Sequence, residues 1–236
     1  MTTLVMRLGG VCLALGLAGC GLISSDVTNF DLTLPDKNFT IDATTWQVNQ
    51  SLATQLFMTD CSSQPTVCGS AAMQACQTGC SGSCNATSHR CEMSMDVSLY
   101  RPIDLVTEKP ELKSINDQPV IKVTVDSVTY EVTANSLNVA TPEMTIYVAP
   151  MSVMNPKDPQ AKAIGTIPAV PAGQLTTKPQ DVMFNATGKA DLVGIMSTFK
   201  TPFNVIVGAT LLVNSASTVP TGKLDAVVHI TAHAGL

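Results

Sequence analysis

Six cysteines, Cys61, Cys68, Cys76, Cys80, Cys84 and Cys91, fall within a stretch of 31 residues. In an exported chain, an even and clustered set is a disulfide framework, so residues 59–92 are expected to form a small insert stapled by three bridges. Six cysteines permit 15 pairings, and the spacings do not choose among them. Zinc is the competing reading, but structural zinc sites are usually built from paired C-x2–4-C knuckles. The separations here are six, seven, three, three and six residues. Cys76, Cys80 and Cys84 could share a helical face, yet Gly79 and Gly82 work against a helix running through all three. No C-x-x-C occurs, so a thioredoxin-like redox site is not indicated. Neither a metal nor any other cofactor is expected. Ser70–Gly79 reads as a two-turn helix with Ser70 as its N-cap and Gly79 just past its end. Cys84–Cys91 reads as a small hairpin.

The N-terminus says that the chain is exported. Arg7 gives a positive start, and Leu8–Ala18 is an apolar run broken only by glycines, too short to span a bilayer. The junction Leu17-Ala18-Gly19-Cys20 resembles the lipobox of bacterial lipoproteins. That resemblance implies a signal peptide over residues 1–19, cleavage before Cys20, and acylation of the Cys20 thiol and its new amino group. Residues 20–27 would then be the lipidated end and a short tether, and residues 28–236 the folded domain. Seven tether residues reach at most roughly 25 Å, so the domain would sit close to its membrane. Gly21 follows the cysteine. Asp at that place retains lipoproteins of the best-known Gram-negative bacteria in the inner membrane, so Gly21 implies the outer membrane.

The body of the chain alternates with period two, the mark of half-buried strands. Phe30, Leu32 and Leu34 form the first set, with Phe39 and Ile41 after the turn residues Pro35–Asn38. Met93, Met95, Val97 and Leu99 form the next. Ile121, Val123 and Val125 alternate on one parity and Val128, Tyr130 and Val132 on the other. A bulge or turn at Asp126-Ser127 is therefore required to keep both sets facing the core. Further strands are expected over 144–149, 163–170, 180–186, 203–213 and 223–232. Helical patches are expected over 43–57, capped by Asp42, near Leu105, and over 188–199. Seven to nine short strands without a β-α-β rhythm argue for a mainly β protein, an antiparallel sandwich carrying the disulfide-rich insert. The segments Ser127–Ser136, Ala163–Pro168 and Pro171–Gly173 and the closing pair of strands resemble late-embryogenesis-abundant domains of the water-stress type. That resemblance covers about half of the chain. It implies an immunoglobulin-like sandwich and at most a binding or protective role, with no catalytic residues.

Chemistry is harder to find. The net charge is −5 and only 13% of residues are charged, so nothing forms a basic stripe for nucleic acid. His229 and His233 fall in an expected strand, where residues four apart lie roughly 13 Å from each other, too far for one ion. His89 is expected on the surface of the cysteine hairpin. No G-x-S-x-G marks a nucleophile and no glycine loop cradles phosphate. Asp36, Asp126, Asp158 and Asp181 are scattered rather than laid out as a calcium loop. Four N-glycosylation triplets, at Asn38, Asn49, Asn85 and Asn185, are chance matches in a bacterial lipoprotein. The alternating Met93, Met95 and Met144 suit core filling better than copper. The expectation is a non-enzymatic, lipid-anchored cell-envelope protein with a structural or protein-binding role, joined to the membrane through Cys20 and to an envelope protein partner. The alternative is a carrier of a lipid or small hydrophobic ligand between its sheets.

Overall fold

The computed structural model describes residues 29–114 and 122–235. The expected signal peptide, Cys20, the expected tether and Ile121 lie outside the described residues. Among the described residues, eleven strands form two antiparallel sheets. In the first sheet, β11 (Lys223–Gly235) pairs on one side with β1 (Asn29–Asp31) and β2 (Lys37–Asp42), and on the other with β5 (Lys122–Asn135). β8 (Gln180–Asp181) borders β5. The second sheet runs β3 (Cys80–Cys84), β4 (Cys91–Ile103), β10 (Phe203–Val213), β6 (Met144–Pro150), β7 (Lys162–Ile167) and β9 (Met183–Phe184).

The inner faces follow the alternation. Val123, Val125, Val128, Tyr130 and Val132 of β5 meet Met93, Met95, Phe203, Val205, Ile146 and Val148 from the opposite sheet in one buried cluster. The change of parity in β5 is met by a bulge. Ser127 pairs with Thr231 and Val125 with Ala232, so Asp126 is the extra residue. Met93, Met95 and Met144 are buried in the core.

Two expectations are corrected here. Asp42 does cap a helical turn, accepting a hydrogen bond from Thr44 N at 2.9 Å, but that turn is a 3-10 segment over Ala43–Trp46. Gln47 then adopts a left-handed φ of 50° and ends it. Asn49 starts a separate helix, α1 (Gln50–Met58), by accepting from Ser51 N and Leu52 N. The run 180–186 is not one strand. It crosses from sheet to sheet at Val182, with β8 on β5 and β9 on β7. Val182 is buried at this corner, and its N–H donates to Val128 O.

Helix α4 (Gly188–Ser197) lies over the same side of the sandwich, burying Leu192 and Met196. On the outer face of β10, the loop 151–161 covers Ile206 and Asn204. Asn204 is fully buried, and its Nδ2 donates to the carbonyls of Met151 and Val153 at 2.9 and 2.8 Å. An Asn204→Ala variant should lose about 2–4 kcal/mol of stability, because two carbonyls lose their donor. A lower denaturant midpoint with an unchanged slope would show it.

Candidate functional site

The disulfides, two short helices and an open groove gather at one end of the sandwich. There the 3-10 turn delivers Trp46, α1 and α2 (Val67–Ala75) pack together, and β3 joins the second sheet. The insert has no core of its own and rests on three disulfides, Cys61–Cys84, Cys68–Cys91 and Cys76–Cys80. The first two interlock. Cys84 and Cys91 are opposite one another on β3 and β4, but each bonds outward. Cys84 holds the segment after α1, and Cys91 holds α2. Each closes a loop with a sequence separation of 23, which stabilises the fold by about 3 kcal/mol in the chain-entropy treatment. The Sγ atoms of Cys61, Cys68 and Cys84 lie within 4.8 Å of one another. That is metal-ligand spacing, but each sulfur is already bonded to another and is no thiolate.

The expected hairpin over Cys84–Cys91 is present, with His89 at its turn at a φ of 52°. The expected helix is present with different ends. It begins at Val67 behind Thr66, so Ser70 lies inside it, and it ends at Ala75, four residues before Gly79. The disulfides account for both shifts. Cys68 must sit on the first helical turn to reach Cys91, and Cys76 must be extended to reach Cys80. Gly82 is where α2 rests on β3. A Cβ there would lie 2.0 Å from the Cys68 carbonyl oxygen.

Trp46 ties this end to the sheets. It is buried, and its Nε1 donates to Asp96 O at 3.2 Å. Beneath it, a recess between the sheets lined by Ile41, Val97, Leu137, Met144 and Leu211 leaves only about 10 Å³, barely the space of one water. Beside it, an open groove of about 460 Å³ runs over the outer face of β4, β10 and β6. Its floor carries Asp96, bonded to Lys157 Nζ at 2.5 Å and to Thr210 Oγ1 at 2.9 Å. Burial pushes the Asp96 carboxyl up, but the Lys157 and Thr210 hydrogen bonds and the Lys157 charge outweigh it and hold the group below the ordinary carboxylate range. Pro156 walls the groove by resting on Gly208, where a Cβ would come within 2.7 Å of the ring.

One property of this end is not caught by motif reading. From Ala43 to His89 the single ionised side chain is Asp60. Glutamine, serine, threonine and methionine take the surface instead, and Met58 and Met73 are 68% and 69% exposed. The signal was available as a gap in the charge pattern.

The remaining candidates are dispersed. His229 Nδ1 lies 2.7 Å from Asp36 Oδ1, and His233 Nδ1 lies 3.0 Å from Asp126 Oδ2. Each histidine thus has its own carboxylate. The four aspartates weighed for calcium sit apart, two of them with these histidines, Asp158 in a turn of the 151–161 loop and Asp181 in β8. No helix among the described residues is long and apolar enough to cross a membrane. Comparison with protein-family models, curated proteins and solved structures gives no match.

Two outcomes test the architecture of this end. Gly82→Ala should destabilise the protein by roughly 1–3 kcal/mol through overpacking, read as a lower thermal midpoint. The Lys223 Nζ hydrogen bond, together with those from Thr44, brings the Asp42 carboxyl down to about 2. Its unfolded value is about 3.9. A depressed folded value means stability that is complete above pH ~4 and lost as the pH falls towards 2. Trp46, the sole tryptophan, should report loosening of the 3-10 turn over that window. In Asp42→Asn the acid-dependent component of the change should shrink, leaving the part carried by Asp96.

Proposed function

We propose that this protein is a non-enzymatic, lipid-anchored component of a bacterial cell envelope, attached through Cys20 to the outer membrane and presenting its disulfide-stapled end to an envelope partner. The observation that carries the reading is the opposition of the two ends. β11 runs from Lys223, beside Asp42, to Gly235, beside Asn29. Its twelve steps span roughly 40 Å. Asn29 follows the tether, so a membrane held at Cys20 lies at the Gly235 end. The insert lies at the other end, where β4 begins and β10 finishes.

Three disulfides accord with an extracytoplasmic location. The non-enzymatic part rests on the histidines. His229 and His233 pair with separate aspartates, and the Nε2 of His229 is buried without a hydrogen-bond partner, which supports that reading. A binding role is favoured over a hydrophobic carrier by the filled recess at Trp46, since ligand pockets of this kind need about 300 Å³ or more.

Fractionation tests the anchor. Cys20→Ala should move the protein from the membrane to the soluble fraction, and persistence in the membrane would contradict it. Cross-linking from native membranes, with photoreactive groups placed on α2, should give a discrete adduct. The same groups near the Gly235 end should not.

A further inference from the structure

An edge strand presents a row of unpaired backbone groups, and proteins blunt such edges with charge, proline, bulges or brevity. Most edges among the described residues are blunted in this way. β8 and β9 have two residues each, and β1 has three. β2 follows Pro35 and begins at Lys37, and its Asn38 carbonyl is taken by Arg101 Nε. β3 is different. It borders the second sheet with five residues, Cys-Ser-Gly-Ser-Cys, and has no charge, proline or register shift.

Two hydrogen bonds fix the direction of its backbone groups. Asp96 N donates to Gly79 O at 2.9 Å, and Asn85 N donates to Arg90 O at 2.9 Å. Bonded and unbonded pairs alternate along an antiparallel ladder. Ser81 and Ser83, in step with Gly79 and Asn85, therefore turn their N–H and C=O groups to β4. Cys80, Gly82 and Cys84 turn theirs outward. Among the described residues no hydrogen bond reaches those outward groups, and all three residues keep partial exposure. The edge is also held still. Cys80 is bonded to Cys76, Cys84 to Cys61, and Gly82 rests on α2. A template fixed in advance loses little entropy on binding. Donors and acceptors that repeat roughly every 7 Å along a line match another extended backbone. Ser81 and Ser83 are small and exposed, which leaves room beside them for β-branched or aromatic side chains of an adjoining strand. From these observations we infer that β3 is a strand-addition site, along which a protein partner lays an extended segment as the seventh strand of the sheet. The inference rests on the partner-binding reading above and names the contact that makes it.

The test uses the full-length protein in detergent and a pool of end-blocked octapeptides that alternate Val, Thr or Tyr with Ser or Gln. The same pool N-methylated throughout is the reference, because it has no backbone donors for a ladder. In the free protein the Gly82 amide should exchange with solvent at least about tenfold faster than the amides of Ser81 and Ser83. Peptides retained from the first pool should slow Gly82 exchange at least about tenfold, and the reference pool should not. Replacing Gly82 by N-methylglycine, in a synthetic segment ligated at the native cysteines, removes one outward N–H without setting a Cβ against α2. That protein should bind the retained peptides at least about tenfold more weakly. Its thermal midpoint and Trp46 emission should be unchanged. The exchange measurements need no variant, so they decide the matter even if this one folds poorly. Three results overturn the proposal: slow Gly82 exchange in the free protein, equal retention of the two pools, or undiminished binding by the N-methylglycine protein. Cross-linking from α2 scores the underlying reading separately. An envelope adduct that persists in the N-methylglycine protein keeps the partner and overturns strand addition. If the unaltered protein gives no adduct, the partner reading fails, and the peptide comparison still decides the edge.

Discussion

The ladder between β5 and β11 is the constraint on which the rest of the molecule depends. Among the described residues, β11 is the central strand of its sheet, and it receives β1 and β2 on one edge and β5 on the other. A ladder that long holds only if every inward side chain is apolar, because a one-residue slip would turn the whole set to solvent. Two irregularities prevent that, the bulge at Asp126 and a second shift at Thr133, where Asp225 pairs with Ala134 and Ala226 with Val132. The first also aims the Asp126 carboxylate at His233.

The two open sides of the sandwich are closed differently. On one, Val182 carries the chain from sheet to sheet and α4 covers the seam. Gly188 allows this because a Cβ there would lie 1.7 Å from the Ile164 carbonyl oxygen. On the other, Arg101 spans from β4 to β2. Its Nε donates to Asn38 O at 2.6 Å, and its guanidinium lies 5.5 Å from the Phe39 ring centroid. The half-buried pair Lys37–Glu108, at 2.7 Å, adds a further tie between β2 and α3 (Leu105–Glu108). With both sides closed, the recess near Trp46 is filled. What stays open is surface: the groove of about 460 Å³ beside the stapled end, and one of about 450 Å³ between β6 and α4.

Most strands were legible because alternation is a direct projection of a two-sided sheet onto sequence. Met93, Met95 and Val97, or Leu224, Val228 and Ile230, needed no tertiary information to be placed inward. The helices were less legible. Ser70 has the chemistry of a cap, but the N-cap is Thr66, four residues earlier, which puts Cys68 on the first helical turn where it bonds to Cys91. Thr44, Thr45 and Val48 are poor helix formers, and the chain breaks there into a 3-10 turn and α1. The run 180–186 looked like one strand because nothing in its pattern marks Val182 as a corner.

The sequence alone determined the class of this protein: two faces of apolar alternation, a necessary bulge at Asp126 and a framework of six clustered cysteines. These follow from local periodicity and composition, which act within a few residues. Only the tertiary structure decided which of the possible pairings the cysteines take, where α2 begins, and that the insert lies at the opposite end of β11 from Asn29. Those outcomes depend on which segments distant in sequence come within bonding distance, and no local pattern encodes that. Gly82 shows the difference in one residue. In the sequence it is a glycine that argues against a helix through Cys76, Cys80 and Cys84, whereas in the fold it is the gap that lets α2 lie on β3.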